Sequence, residues 1–354
     1  MPFVLFVAIT RETIYMAHRL TEFIARLVRR EDLNREEAEQ LLESLLDADA
    51  TDAQIAAALV ALAAKGETVE ELTGMATGLR ARAVRLNACH SCFIDTAGTG
   101  SSPAKTFNIS TAAAFVIAGA GLPVAKHGNR AASSKSGSAD LLAALGVNVS
   151  AIPSVSQDAL NEIGICFMFA PLYHGATARV AGIRRQLGIH TTFNLLGPLS
   201  NPAGAPRQII GVWRKDLAER LARVLAALGT EHAWAVHGED GLDEITLAGN
   251  THVAEARGGD VRTFEISPQD FGFETATLDH LRGGDTEANA AIVRAVLAGE
   301  RHDEARQLVI MTAGAALMLG GVVESLRDGA SRAGEAIDSG AAMSKLQRLV
   351  RVTN

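Results

Sequence analysis

Residues 95–140, DTAGTGSSPAKTFNISTAAAFVIAGAGLPVAKHGNRAASSKSGSAD, constrain this chain more than any other stretch. Two loops rich in glycine and hydroxyl residues flank an unbroken apolar run, Ala112 to Ala120. Gly98-Thr99-Gly100 makes the first turn. Asn108-Ile109-Ser110-Thr111 stands directly before the apolar run, and Ser110 and Thr111 are the N-cap candidates. A short apolar run, Leu122 to Ala125, leads into a second polar loop, Lys126-His127-Gly128-Asn129-Arg130, followed by Ser133-Ser134-Lys135-Ser136-Gly137-Ser138. The pattern reads loop, helix, strand, loop, helix. A helix start offers unpaired N–H groups and the positive end of the dipole, so it attracts phosphate. Gly98, Gly100, Gly128 and Gly137 let the backbone approach a ligand closely. Either loop alone would pass for a solvated turn. Joined by one helix and one strand, they predict a site for a multiply phosphorylated small molecule.

Upstream, residues 17–88 read as a small helical domain. Leu20, Phe23, Ile24 and Leu27 fall at helical spacing within Ala17 to Arg30. Asn34 with Glu37, Thr51 with Gln54, and Thr68 with Glu71 are three helix starts of capping-box type. Gly66 fits a helix stop. Nothing in this region carries a catalytic constellation, so it reads as a packing and dimerisation module. Residues 1–16 read as a disordered or loosely attached extension, with Met16 as a second candidate start. Its apolar run, Phe3 to Ile9, is too short to span a membrane and lacks the marks of a secretory signal. Cys89-His90-Ser91-Cys92 lacks two further ligands for a structural metal and reads as plain cysteine. Three cysteines without a pairing pattern fit a reducing cytoplasm.

Downstream, helical and strand patterns alternate. Helices are expected at Ala139–Leu145, Ala176–Leu187, Lys215–Leu228, 286–298 and 302–319, and strands at Cys166–Ala170, Gln208–Trp213 and Ala233–Val236. Residues 251–266 read as a hairpin turning at Gly258-Gly259, and one more helix and a short tail follow residue 320. The expected class is α/β: a small N-terminal helical domain, plus a larger domain over 89–354 with a mostly parallel central sheet and helices on both faces. Segments near 174–202 are expected to join the helical domain.

A second cluster, Glu239-Asp240-Gly241-Leu242-Asp243-Glu244, puts four carboxylates in six residues. It is either a solvated acidic turn or a magnesium site completed by substrate phosphates. A net charge of −7 argues against a general nucleic-acid binder. It leaves room for an anionic substrate, because cations gather at Lys126, Arg130, Lys135, Arg184 and Arg185.

The motifs resemble those of the anthranilate phosphoribosyltransferases, whose signatures are GTGGD, NIST and KHGNR-x-x-SSKSGS-x-D. Here they read GTGSS, NIST and KHGNRAASSKSGSAD, with FNLLGPLSNPA at 193–203 and VHGEDGLDEIT at 236–246. The resemblance runs from about residue 17 to near the end. It implies transfer of phosphoribose from 5-phosphoribosyl diphosphate to the amine of anthranilate, the second step of tryptophan synthesis from chorismate. It implies that Gly98, Ser101, Ser102, Thr106, Asn108, Ile109, Ser110, Thr111, Lys126, His127, Gly128, Asn129, Arg130, Ala131, Ala132, Ser133, Ser134 and Ser138 hold the diphosphate donor. Gly98, Asn129 and Arg184 would hold anthranilate, Arg184 through the carboxylate. Ser110, Asp243 and Glu244 would bind Mg²⁺, and the helical domain would form a homodimer. His127 either lines the acceptor pocket or bonds the backbone. No general base stands out. Two departures are expected to alter the contacts. Ser101-Ser102 replaces Gly-Asp, and His174-Gly175-Ala176-Thr177-Ala178 replaces H-P-A-M-R, with Arg179 one place later. The rival readings are a pyrimidine nucleoside phosphorylase-like enzyme and a non-catalytic nucleic-acid-binding relative.

Overall fold

The computed structural model describes residues 11–100, 106–131, 136–278, 281 and 283–354, with the side chains of the first helix from Arg19 onward. It divides into two compact units, Met1–Arg82 with Ala176–Leu196, and Ala83–Gly175 with Gly197–Asn354.

The first unit is helical: Arg11–Val28, Arg35–Leu46, Asp52–Lys65, Val69–Ala81 and Ala178–Leu187. Asn34, Thr51 and Thr68 each cap a helix through a complete capping box with Glu37, Gln54 and Glu71. Gly66 closes the third helix at a φ of +85°. Leu20, Phe23 and Leu27 bury their side chains, as do Leu41, Leu45, Ile55 and Leu59. The first helix starts at Arg11 rather than Ala17, so residues 11–16 are helical and not extension. Residues 1–10 lie outside the described residues. Glu71 is wholly buried and fully paired. It accepts the N–H of Leu33 at 3.0 Å, the N–H of Thr68 at 2.9 Å and Lys65 Nζ at 2.9 Å. A buried carboxylate without such partners would be strongly destabilising.

The second unit is built on a sheet of β1 (Ile94–Gly98), β2 (Val124–Gly128), β3 (Ile165–Phe169), β4 (Arg207–Gly211), β5 (His232–Gly238), β6 (Thr251–Arg257) and β7 (Asp260–Ile266). The order is β3-β2-β1-β4-β5-β6-β7. Strands β1 to β5 are parallel, and β6 and β7 form the expected antiparallel hairpin. Gly258 and Gly259 turn it with φ of +58° and +93°, a two-residue turn that needs positive φ twice. The crossovers run from β1 to β2 in one direction and from β4 to β5 in the other. Crossovers of one hand in opposite directions place their helices on opposite faces. Those helices are Ile109–Gly119 and Lys215–Ala227. Ile109–Gly119 is buried nearly all round, as an apolar helix without a polar stripe must be.

Several local expectations change. Asp95 to Gly98 is strand β1, not loop, and β2 runs Val124–Gly128 rather than 122–125. Lys126 and His127 therefore lie on a strand. A charged residue reads as loop in sequence, but here the core supplies its partners. The cap of Ile109–Gly119 is Asn108, without a side-chain cap bond, and Ser110 and Thr111 lie inside the helix. Helix Pro153–Ile163 was not expected, although Pro153 at its start and Gly164 at its end, φ +74°, mark it. Past residue 320 there are two helices, Leu326–Asp338 and Ala341–Thr353, separated by Gly340 in left-handed conformation. Among the described residues no helix is long and apolar enough to cross a membrane.

Candidate active site

Strand order reverses direction beside β1: the chain goes from β1 outward to β2 and β3, then returns to β4 on the other side. In open α/β sheets, such a switch point leaves a crevice outside the carboxyl ends of the strands, where ligands bind. Here β1 ends at Gly98 and β4 at Gly211, paired in register. Thr99 ties the two ends, its N–H and Oγ1 donating to the Gly211 carbonyl at 2.8 and 3.1 Å. Asp243 follows β5 and brings Oδ2 within 3.7 Å of where a Cβ on Gly98 would sit. Glu244 Oε1 accepts the N–H of Ser110, 3.3 Å away, in the first turn of Ile109–Gly119. Lys126, 4% exposed, donates from Nζ to the Thr96 carbonyl. Thr96 Oγ1 donates in turn to the Ser110 carbonyl at 3.0 Å.

Burial sets the electrostatics. It pushes the Asp243 carboxyl up to about 6. Burial, and then the neighbouring Asp243, push Glu244 up to about 8. Burial also holds Lys126 below its ordinary value, against the pull of Asp95 and Glu244. Asp95 is raised by burial to about 6, although Lys126 beside it, Asn201 Nδ2 at 2.7 Å and the His127 N–H at 3.2 Å all favour its charge. Asp95 and Glu244 thus share Lys126. Among the described residues no group of three or more His, Cys, Asp or Glu is arranged to hold a metal ion. The pair Asp243 and Glu244 with the Ser110 hydroxyl is a hard-oxygen set that fits magnesium, which takes one or two carboxylates and fills its other positions with water and substrate phosphate.

The loop after β2 is held by Asp140. Its Oδ2 accepts the N–H of Ala131 at 2.9 Å and of Gly137 at 3.0 Å, and Oδ1 accepts Arg130 Nη1 at 2.9 Å. Burial pushes this carboxyl up, but the two N–H groups and the guanidinium prevail and hold it below its ordinary value. Gly128 has no room for a side chain: Ser138 Oγ lies 2.1 Å from a Cβ there. Asn108 Nδ2 donates to the Ser136 carbonyl at 3.2 Å, linking this loop to the start of helix Ile109–Gly119. His127 is kept neutral: burial pushes it down to about 3, helped by His174, whose ring lies 5.2 Å away. Its Nε2 is buried without a hydrogen-bond partner among the described residues.

In the helical unit, Arg184 lies in the last turn of Ala178–Leu187. Its Nη2 donates to Asn194 Oδ1 at 3.0 Å, and its guanidinium sits 5.7 Å from the centre of the Phe193 ring.

Residues 21–83 match the "Glycosyl transferase family, helical bundle domain", and residues 90–343 match the "Glycosyl transferase family, a/b domain". The anthranilate phosphoribosyltransferase of Paramagnetospirillum magneticum is 49% identical over 335 residues, covering 95% of this chain and 96% of its own. That of Anaeromyxobacter dehalogenans is 52% identical over 330 residues, covering 93% and 97%. The chain belongs to the anthranilate phosphoribosyltransferase family. Solved members share its fold. The Thermus thermophilus enzyme gives a TM-score of 0.87 at 38% identity, covering 94% of this chain and 99% of that one. The Saccharomyces cerevisiae enzyme, solved in complex with PRPP and Mg, gives 0.87 at 27%, covering 96% and 99%.

In this family member the structure brings together Gly98, Ser110, Lys126, Asp243 and Glu244, and ties Asn129, Arg130 and Ala131 to the helix of Ser138 and Asp140. Thr106, Asn108, Ile109 and Thr111 lead into or open helix Ile109–Gly119. Ser101, Ser102, Ala132, Ser133, Ser134 and Lys135 lie outside the described residues. Arg184 and Arg185 belong to the helical unit. Glu239 and Asp240 leave the acidic cluster: Asp240 accepts Leu242 N–H at 3.2 Å and Thr246 Oγ1 at 3.0 Å, and Glu239 accepts Asn250 N–H at 3.1 Å. They shape a turn. Sequence reasoning missed Asp95, Asp140, Asn201 and Gly211 as supports. The available signals were a lone acid in an apolar strand for Asp95 and the closing position of the SGSAD run for Asp140.

Proposed function

We propose that the crevice at the ends of β1 and β4 holds 5-phosphoribosyl diphosphate for attack by the amine of anthranilate, giving N-(5-phosphoribosyl)anthranilate and diphosphate. The observation that carries this reading is the meeting of Asp243, Glu244 and the Ser110 helix start beside buried Lys126. Lys126 and the helix N-terminus are fixed donors aimed at phosphate, and fixed donors in a low-dielectric site stabilise charge as it develops. Ser110, Asp243 and Glu244 would hold Mg²⁺, which when bound offsets charge on the departing diphosphate. The loop of Asn129, Arg130 and Ala131, held in shape by Asp140 and closed by Ser138, would supply side-chain donors to the ribose phosphate. Arg184 receives the anthranilate carboxylate through its planar fork. His127, neutral at working pH, serves as a hydrogen-bonding wall rather than a cation. A neutral aryl amine attacks without prior deprotonation as the bond from the anomeric carbon to diphosphate breaks, and the resulting ammonium then gives its proton to the departing diphosphate or to water, so positioning and shielding carry the step.

The family relationship supports the transferase over the nucleoside phosphorylase and nucleic-acid-binding readings, for which no observation speaks. We also infer a homodimer formed through the helical unit, supported by exposed Val28, Val60 and Ile189 there. A cytoplasmic setting is supported by three free cysteines, Cys89, Cys92 and Cys166. The test is loss of anthranilate fluorescence on adding 5-phosphoribosyl diphosphate, with and without Mg²⁺. Metal-dependent loss is expected. Folded protein that leaves the fluorescence unchanged would overturn the reading.

A further inference from the structure

Arg184 carries a half-buried guanidinium in the last turn of its helix. Burial pushes it below its ordinary value, and no acid among the described residues acts on it. Its Nε is buried without a hydrogen-bond partner among the described residues. Among the described residues, the groups that hold it are neutral. Asn194 Oδ1 accepts Arg184 Nη2 at 3.0 Å, and the same oxygen accepts the Thr191 N–H at 3.0 Å. The Phe193 ring lies beside the guanidinium. Asn194 is itself anchored: it sits in the first turn of helix Thr192–Leu199, and Thr192 Oγ1 donates to Glu67 Oε1 at 2.6 Å.

A buried cation held by an acid would be neutralised in place. One held by an amide oxygen is oriented and keeps its full charge for an incoming anion. We propose that Asn194 is a positioning residue that aims Arg184 while leaving its charge uncompensated, and so sets the selectivity for a carboxylate-bearing acceptor. This rests on the reading of Arg184 as the carboxylate receptor.

Asn194→Asp isolates the point, because it keeps the shape and both accepted hydrogen bonds but adds a negative charge. The experiment measures steady-state kinetics for anthranilate and for 2-aminobenzamide, which lacks the charge, with circular dichroism to establish folding. For Asn194→Asp, KM for anthranilate should rise about 10- to 100-fold, the worth of a charged hydrogen bond. KM for 5-phosphoribosyl diphosphate and kcat should stay close to wild type, and the preference for anthranilate over the amide should collapse. Asn194→Ser, with a shorter neutral acceptor, should recover part of the affinity. Wild-type discrimination in folded Asn194→Asp would overturn the proposal. Arg184→Gln separates the two levels. If it raises KM for anthranilate while Asn194→Asp does not, the inference fails alone. If Arg184→Gln leaves that KM unchanged, the underlying reading fails, and the inference with it.

Discussion

The backbone carbonyl oxygen of Asp243 lies 1.7 Å from the point a Cβ on Gly211 would occupy. The end of β4 and the acidic turn after β5 are in contact only because residue 211 has no side chain. Gly211→Ala must therefore push the 243–244 backbone away from the strand ends. We expect a loss of about 1–3 kcal/mol, the usual range for overpacking, and a much larger fall in turnover. Chemical denaturation with parallel rate measurements checks both. An alanine variant with wild-type activity would show that the contact does not set the geometry of the acidic pair.

Removing a charge from the proposed metal site should separate activity from stability. Asp243 titrates near 6 in the fold, above its ordinary 3.8, because burial penalises its charge. Below 3.8 both folded and unfolded chains carry the proton. As pH rises through about 6 the folded protein must ionise a buried carboxyl, so stability is lost over that window. Asp243→Asn avoids this loss and should stabilise the ligand-free protein at pH 8 by on the order of 2 kcal/mol. The same variant, and Glu244→Gln, should lose Mg²⁺-dependent turnover. Thermal melts at pH 4 and pH 8 give the comparison: the gain should appear at pH 8 and vanish at pH 4.

Asp140 organises the loop after β2 by accepting from Arg130, Ala131 and Gly137. Asp140→Asn keeps one acceptor oxygen but loses the charge that draws Arg130 Nη1 and the two N–H groups of Ala131 and Gly137. We expect KM for 5-phosphoribosyl diphosphate to rise about tenfold, the loss of roughly one charge-assisted hydrogen bond, with kcat nearly unchanged. The carboxyl lies below its ordinary 3.8 in the fold, so its contribution to stability is present above that value and lost as pH falls through the folded one. Acid titration of the variant should show a shallower fall in stability than the wild type.

Much of this architecture could be read in the amino-acid order. Capping boxes at Asn34, Thr51 and Thr68 depend on residues three apart, so sequence alone places them. The Gly258-Gly259 hairpin is equally local. The glycine- and hydroxyl-rich segments after β1 and β2, and the Asp243-Glu244 pair proposed for the metal, stand out in the sequence because each is a run of contiguous residues. The strand assignment of Lys126 and His127 was not legible. A charged residue enters a buried strand only when distant groups answer it, and here those are the Thr96 carbonyl, Asp95 and Glu244. The division of the acidic run, with Glu239 and Asp240 shaping a turn and Asp243 and Glu244 meeting Gly98 and Ser110, was decided by Thr246, Asn250 and Gly211. The same holds for Asp95 with Asn201. Local periodicity and caps follow from the backbone geometry of neighbours. Which polar groups are buried, and what compensates them, follows from pairings between strands far apart in sequence, and only the tertiary structure brings those together.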